Sequence, residues 1–368
     1  MAEPFKNLLN EKVVNELAAE LQKAWKDFPR QRFVARATSG LSSLELKARA
    51  QHIAEALEAC LPDPPARAMD IVTKALGPKL TVTEGYGSTV FRYLPYSTWL
   101  EKHGPRDVEA ALLANKALTQ RFSAEFSIRS LLTHAPKATL RTLHTWTRDE
   151  NPHVRRLVSE GTRPFLPWAK RLPELPKTPN VTLELLEHLK DDPTEYVRRS
   201  VANHLNDLSK EHPLVVLKTA GRWLAESKTP ERKKLVEHAL RTLVKAGDAK
   251  ALNLLGATGA ALTLSGSVTP SKIDLGDPIT IEATVLNRGS KKTHVVLEAV
   301  VHFRKPSGSS AKKFRLGRVD LGALEETTVV KRLVIQHRSI RRLHPGMHRV
   351  ELQANGLTAV LGQFDLTL

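Results

Sequence analysis

The 368-residue sequence predicts an all-α helical-repeat solenoid followed by a small all-β sandwich. Three observations predict it. Apolar residues recur every three to four positions through residues 1–258 and every two positions afterwards. The composition changes at GATGAALTLSG, between the two periods. Within the first part, a proline followed by a basic amphipathic segment recurs at Pro152, Pro193 and Pro230, spaced by 41 and 37 residues. The expected domains are therefore 1–258 and 259–368, and a chain of this length suits two cores better than one.

The helices follow from the spacing. Leu44 to Leu61 carries apolar residues three and four apart and stops at Pro62, and Leu217–Leu224 and Lys233–Val244 behave alike. The repeated basic segments are NPHVRRLVSE, DPTEYVRRSVANHL and TPERKKLVEHAL. Each follows a second apolar segment: ATLRTLHTWTRD, NVTLELLEHLKD and PLVVLKTAGRWLAE. Paired helices at this period read as a HEAT-type solenoid. Proline just inside a helix is tolerated because its missing N–H would lack an intrahelical partner anyway. The same pattern serves many binding scaffolds, so it defines architecture and not function.

The strands follow from alternation. Ile279, Ile281, Ala283 and Val285 alternate with polar partners and run into the turn-like Asn287-Arg288-Gly289. HVVLEAVVHF, TTVVKRLVIQ, HRVELQA and TAVLGQFDLTL add further strands. Six or seven strands in the last 105 or so residues fit a small β-sandwich.

Charge narrows the partners. Lys and Arg number 56 against 39 Asp and Glu, a net +17. From residue 260 onward, 16 basic face 9 acidic residues, so the sandwich is basic in its own right. A field of this sign attracts nucleic acid or an anionic membrane, or serves solubility. The single cysteine, Cys60, excludes an internal disulfide and a cysteine-rich metal site, and fits a reducing cytosol. The N-terminus does not read as a signal peptide, and no apolar run reaches membrane-spanning length.

Helical spacing groups the charged residues. Glu125 and Arg129 are four apart, as are Arg156 and Glu160, while Arg199, Asn203 and Asp207 form a three-step ladder. Surface ion pairs are one reading of them. If the helices stack, Glu125, Glu160 and Asp207 converge among arginines that grip a phosphate backbone without reading sequence. A carboxylate there repels phosphate and needs a compensating task. Cleavage of an N-glycosidic bond is one, because a base alkylated on a ring nitrogen is a cationic leaving group. The carboxylate then stabilises positive charge on the sugar or orients a water.

Pro164 and Pro167 stiffen the turn that carries Trp168, which could rest on a sugar or base or pack between helix pairs. Trp146 reads as core, and Tyr196 as core or phosphate contact. Tyr86, Tyr93 and Tyr96 fit either helix packing or a partner. His204 with Asp207 is the nearest approach to a metal pair, and neither H-E-x-x-H nor a phosphate-binding glycine loop appears, so no metal or cofactor is expected. HRSIRRLHPGMHR, with Arg341 and Arg342, could be a DNA-entering loop or a solvated turn.

EFSIRSLL, WTRDENPHVRRLVSEGTRPFLPW and LKDDPTEYVRRSVANHLNDLSKEHP, in order from Glu125 to Pro213, resemble the DNA alkylation repair family of HEAT-like glycosylases, in particular its AlkC-type branch. The likeness extends more loosely over residues 1–255, and the sandwich resembles the immunoglobulin-like domain of some members. The resemblance implies a monofunctional glycosylase that removes N3-alkylated bases, 3-methyladenine and 3-methylcytosine, from duplex DNA without deep base flipping. It implies Glu160 as the main catalytic carboxylate, flanked by Glu125 and Asp207. Arg156 then lies on the phosphate side and Trp168 against the lesion. Arg129, Arg199, Asn203, Arg341 and Arg342 complete the expected DNA contacts. A cytoplasmic bacterial monomer, at the nucleoid during repair, is expected. Family members often have a basic residue where this chain has Phe165, which removes one expected backbone contact. A non-enzymatic nucleic-acid binder and a protein-binding scaffold are the competing readings.

Overall fold

The computed structural model describes residues 4–172, 178–256, 261–337 and 342–368. Among them, fourteen α-helices precede eight strands. The helices are α1 (Glu11–Ala24), α2 (Arg30–Thr38), α3 (Leu46–Glu58), α4 (Pro65–Lys74), α5 (Leu94–His103), α6 (Val108–Thr119) and α7 (Ser127–His134). After them come α8 (Pro136–Trp146), α9 (Pro152–Gly161), α10 (Pro179–Leu189), α11 (Glu195–Leu208), α12 (Pro213–Glu226), α13 (Pro230–Ala246) and α14 (Ala249–Leu254). The three recurring prolines start α9 and α13 and stand two residues before α11.

The chain divides into two compact units, Met1–Val216 with Glu226–Ala239, and Leu217–Ala225 with Leu240–Leu368. In the first unit, successive helices stack side by side: α3 on α5, α5 on α7, and α9 on α11. Each buries one apolar stripe, such as Val154, Leu157 and Val158 on α9 and Val197, Val201 and Leu205 on α11. Trp146 is buried, and so are Tyr93 and Tyr96, whose rings stack 6.1 Å apart in the core.

The loops before α9 and α11 are built alike. Asp149 accepts the Asn151 N–H, and Asn151 caps α9 through the His153 N–H. Asp192 accepts both the N–H and the hydroxyl of Thr194. Arg155 then joins the two repeats, pairing with Asp192 at 2.5 Å and donating to the carbonyls of Asp149 and Glu150.

The second unit holds the strands β1 (Leu262–Thr269), β2 (Lys272–Asp274), β3 (Pro278–Asn287), β4 (Thr293–Arg304), β5 (Ser309–Leu321), β6 (Glu326–Val334), β7 (Gly346–Ala354) and β8 (Leu357–Thr367). One sheet has the order β1-β3-β6 and the other β2-β8-β7-β4-β5. All pairs are antiparallel except β2 with β8. Ile279, Ile281, Ala283 and Val285 are fully buried, and they join Val295, Leu297, Ala299, Val301, Val350, Leu352 and Phe364 in one core. The Asn287–Gly289 turn is closed by the Asn287 carboxamide, which accepts the Gly289 N–H. Helical residues belong to this unit too: the Lys313 ammonium donates to the Lys245 carbonyl, and Gly247 lies against the Gln353 side chain.

The strand count exceeds the expected six or seven. β5 carries Lys312, Lys313, Arg315 and Arg318, and its pairing with β4 slips at a bulge between Leu297 and Glu298. The slip breaks the alternation of Phe314 and Leu316 with Val319 and Leu321. A charged, bulged strand at a sheet edge resists pairing with another chain, and it also escapes a period-of-two reading.

Candidate active site

The site lies at the C-terminal half of α9 and its neighbour α11. Gly161 allows the close approach that builds it, since a Cβ there would lie 2.6 Å from Ile128 of α7. The residue before it, Glu160, is only 5% exposed. Its Oε1 accepts from Arg163 at 2.6 Å and has Arg156 at 3.5 Å, while Oε2 accepts from the Ser200 hydroxyl at 2.5 Å.

The three expected carboxylates are joined through arginines. Arg156 bridges Glu160 to Glu125, at 3.0 Å from Glu125 Oε2, and Ser123 donates to the same oxygen. Arg163 bridges Glu160 to Asp207, donating from Nε to Oδ2 at 2.9 Å. Lys210 reaches the other Asp207 oxygen at 3.2 Å. The series Glu125, Arg156, Glu160, Arg163, Asp207 therefore alternates in charge across three elements.

Electrostatics follow from this order. Burial pushes the Glu160 carboxyl up, but Arg156, Arg163 and the Ser200 hydrogen bond more than offset it, leaving it below the ordinary glutamate range. Glu160 is thus an anion at neutral pH although nearly buried. Burial likewise opposes the Arg156 and Arg163 charges, and the neighbouring carboxylates overcome it.

The Glu160 wall faces a cavity of about 310 Å³, also lined by Arg156, Tyr196, Arg199, Ser200 and Asn203 and by the loop Thr83–Tyr86. The Arg156 guanidinium lies over the Tyr196 ring, 5.3 Å from its centroid. Arg199 pairs with Glu84 of the loop, and Asn203 hydrogen-bonds His238 at 2.9 Å.

Several expectations need correction. Glu125 lies in the turn before α7, so it shares no helical face with Arg129. Arg129 does not reach toward a ligand. Its Nε and Nη atoms donate to the carbonyls of Gly161, Arg163 and Lys170 at 2.7–3.0 Å, and burial lowers its pKa to about 10. It is a clamp on the chain after α9, not a phosphate ligand. The Arg199–Asn203–Asp207 ladder is present on α11, yet its rungs turn to three different partners.

Trp168 is 63% exposed and lines a different cavity, of about 540 Å³, with Lys47, Phe91, Thr98, Phe126 and Arg129. Its backbone is left-handed, with φ 67°, which costs a non-glycine residue about 1–2 kcal/mol. Lys47 holds the Trp168 carbonyl at 2.7 Å and lies 5.9 Å from the ring centroid. Phe165 supplies no charge itself, but Arg171 and Lys210 stand 4.9 and 4.6 Å from its ring, so cations gather there from elsewhere in the chain. Arg342 is exposed in the second unit, and Arg341 lies outside the described residues.

Sequence reasoning missed Arg163, Ser200 and the Glu84 loop. Arg163 stands three residues after Glu160, a helical neighbour spacing that was available. Ser200 and Glu84 meet the site only through tertiary packing. His204 is fully buried and donates from Nδ1 to the Ser159 carbonyl, and burial lowers its pKa to about 4. Among the described residues, no group of three His, Cys, Asp or Glu could hold a metal, and no helix is long and apolar enough to cross a membrane.

Comparison with known proteins bears on this geometry. Residues 105–245 match the DNA alkylation repair enzyme family, and residues 264–368 match the C-terminal Ig-like domain described for the uncharacterised protein YhaZ. Over its whole length the chain is similar to the Pseudomonas fluorescens alkylpurine DNA glycosylase AlkC, solved bound to DNA containing an abasic site analog. The two are 32% identical, cover 100% of each other and superpose with a TM-score of 0.83. The chain belongs to the AlkC-type branch of the DNA alkylation repair family. Uncharacterized protein YhaZ of Bacillus subtilis is a further relative, 29% identical over 356 residues and 96% of each chain. In this AlkC-type chain the repair-enzyme match falls mostly in the first unit, and the Ig-like match lies wholly in the second.

Proposed function

We propose that the protein is a monofunctional DNA glycosylase that hydrolyses the N-glycosidic bond of N3-alkylated bases, 3-methyladenine and 3-methylcytosine, in duplex DNA. The observation that carries this reading is Glu160: an ionised, nearly buried carboxylate on the wall of an open, arginine-bearing cavity. Holding that charge out of water requires Arg156, Arg163 and Ser200, an arrangement that suits a preorganised electrostatic site. Likeness to a relative solved on abasic-site DNA supports the same substrate class.

In the proposed reaction the C1′–N bond breaks and its electron pair leaves with the base. An N3-alkylated base is cationic and departs neutral. Positive charge moves to the sugar, where the Glu160 carboxylate stabilises it. A water adds to C1′ and loses a proton, leaving an abasic site. Because Glu160 is ionised, it acts as an electrostatic partner or base and not as an acid. Asp207 and Glu125 share its arginines and hold them in place. Arg199 takes backbone phosphate, Trp168 meets the DNA beside the lesion, and Arg342 adds a contact from the Ig-like domain. Deep base flipping is not required.

The test is direct. Duplex DNA carrying N3-methylated bases is incubated with the protein, and both the free base and alkali-labile sites are measured. Release of base in equal amount to abasic sites is expected. Tight DNA binding with no release would instead favour a non-enzymatic binder, in which the paired carboxylates serve only to hold the fold.

A further inference from the structure

The loop Thr83–Tyr86 brings an acid to the edge of the Glu160 cavity, which the proposed function gives to a polyanion. Glu84 pairs with Arg199, far from it in sequence, and the two side chains keep 62% and 44% of their exposure. The other arginines near the cavity are committed more deeply. Arg155 and Arg198 fold back onto the loop residues before their own helices, and Arg156 and Arg163 hold the buried carboxylates. Arg199 is the exposed one, and the loop carboxylate sits on it.

The loop is loosely packed on either side of Tyr86. Gly85 and Gly87 flank it, both with φ 74°, and no atom lies within 4 Å of where either Cβ would be. Tyr86 packs edge-on against His153, 6.2 Å between centroids, and His153 Nδ1 lies 3.3 Å from the Tyr196 hydroxyl. Outside the glycines the chain is fixed: the Leu80 N–H donates to the Gln120 carbonyl, and Val90 and Tyr93 are buried.

We propose that Glu84 is a phosphate mimic, which occupies Arg199 and holds the Thr83–Tyr86 loop across the Glu160 cavity until a DNA backbone phosphate takes the guanidinium. Carboxylate and phosphate engage the same fork of N–H donors, so they compete for one site. An exposed ion pair is weak and screened by salt, so the loop yields to a phosphate that the rest of the groove has already positioned. Glu84 thereby disfavours polyanions that cannot fill the groove, which sharpens selectivity for a docked duplex. This inference rests on the DNA-binding reading above.

A double-mutant cycle tests it. Binding of a fluorescent duplex with an abasic-site analogue is measured at fixed ionic strength for the parent, Glu84→Gln, Arg199→Ala and the double variant. Glu84→Gln is expected to bind several-fold tighter than the parent. The double variant is expected to bind like Arg199→Ala, because removing Glu84 gains nothing once Arg199 is absent. An equal gain in both backgrounds would make Glu84 a general repulsive charge and overturn the proposal, as would no gain in either. A parent that binds no duplex would remove the DNA reading itself, a result distinct from both.

Discussion

The phrase Val-Arg-Arg occurs on both α9 and α11, and the two copies share one half of their chemistry and differ in the other. In each copy the first arginine folds back onto the loop before its own helix, Arg155 onto Asp149 and Glu150, Arg198 onto Asp192. The second arginine faces the cavity. On α9 it is Arg156, held between Glu125 and Glu160 and over the Tyr196 ring. On α11 it is Arg199, exposed and paired with a loop carboxylate. The difference teaches that one repeat unit can organise a buried anion while its neighbour keeps the matching cation at the surface. Desolvation decides between them: a charge out of water needs a close partner, and a charge in water can exchange one.

The largest effect should come from removing what joins the two copies. Arg163→Ala leaves Glu160 and Asp207 without their shared guanidinium, two buried carboxylates at once. Unfolding by denaturant should show a loss of about 3–5 kcal/mol. A loss within experimental error would mean that the alternating series does not hold the site together.

Next comes the pH dependence of the interface between α9 and α11. His204 is neutral when folded down to about pH 4, whereas an unfolded histidine gains its proton near 6.5. The unfolded state therefore binds the extra proton as pH falls, and stability is lost across that window. The parent should lose up to about 3 kcal/mol more than His204→Asn between pH 6.5 and 4. Parallel pH profiles would place a charged or solvated histidine there instead.

The two second arginines should then separate by phenotype. Arg156→Ala removes a charge that keeps the Glu160 carboxyl low, so the acid limb of base release should move to higher pH and the rate fall about tenfold or more. Arg199→Ala should chiefly weaken binding, by about tenfold or less, and reduce the salt slope of log K by about 1. If both variants change rate and salt slope alike, the two copies are not specialised.

Much of this organisation was legible in the residues. Apolar spacing, the recurring prolines and the change of period placed α3, the helices from α8 to α13 and most strands, because these signals are local. Glu160 and Arg156 were legible because four residues along a helix share a face. Arg129 was misread for the opposite reason: its spacing from Glu125 looked helical, but Glu125 lies in a turn and backbone carbonyls draw the guanidinium away. Ser200 and Glu84 carry no local signal at all, since packing of α11 and of the Thr83–Tyr86 loop brings them to Glu160 and Arg199. β5 was hidden by its bulge and its lysines. Local periodicity shows which face a residue takes, and tertiary contact decides what it meets there.

The central claim is that the buried Glu160 anion does the chemistry while other residues do most of the binding. Single-turnover release of 3-methyladenine from duplex DNA, with saturating protein, tests it most directly in the parent and in Glu160→Gln. The substitution keeps the shape and removes the charge. The expected result is a rate lower by about 100-fold or more, with affinity for an abasic-analogue duplex largely retained. Equal rates of release from the two proteins would contradict the account.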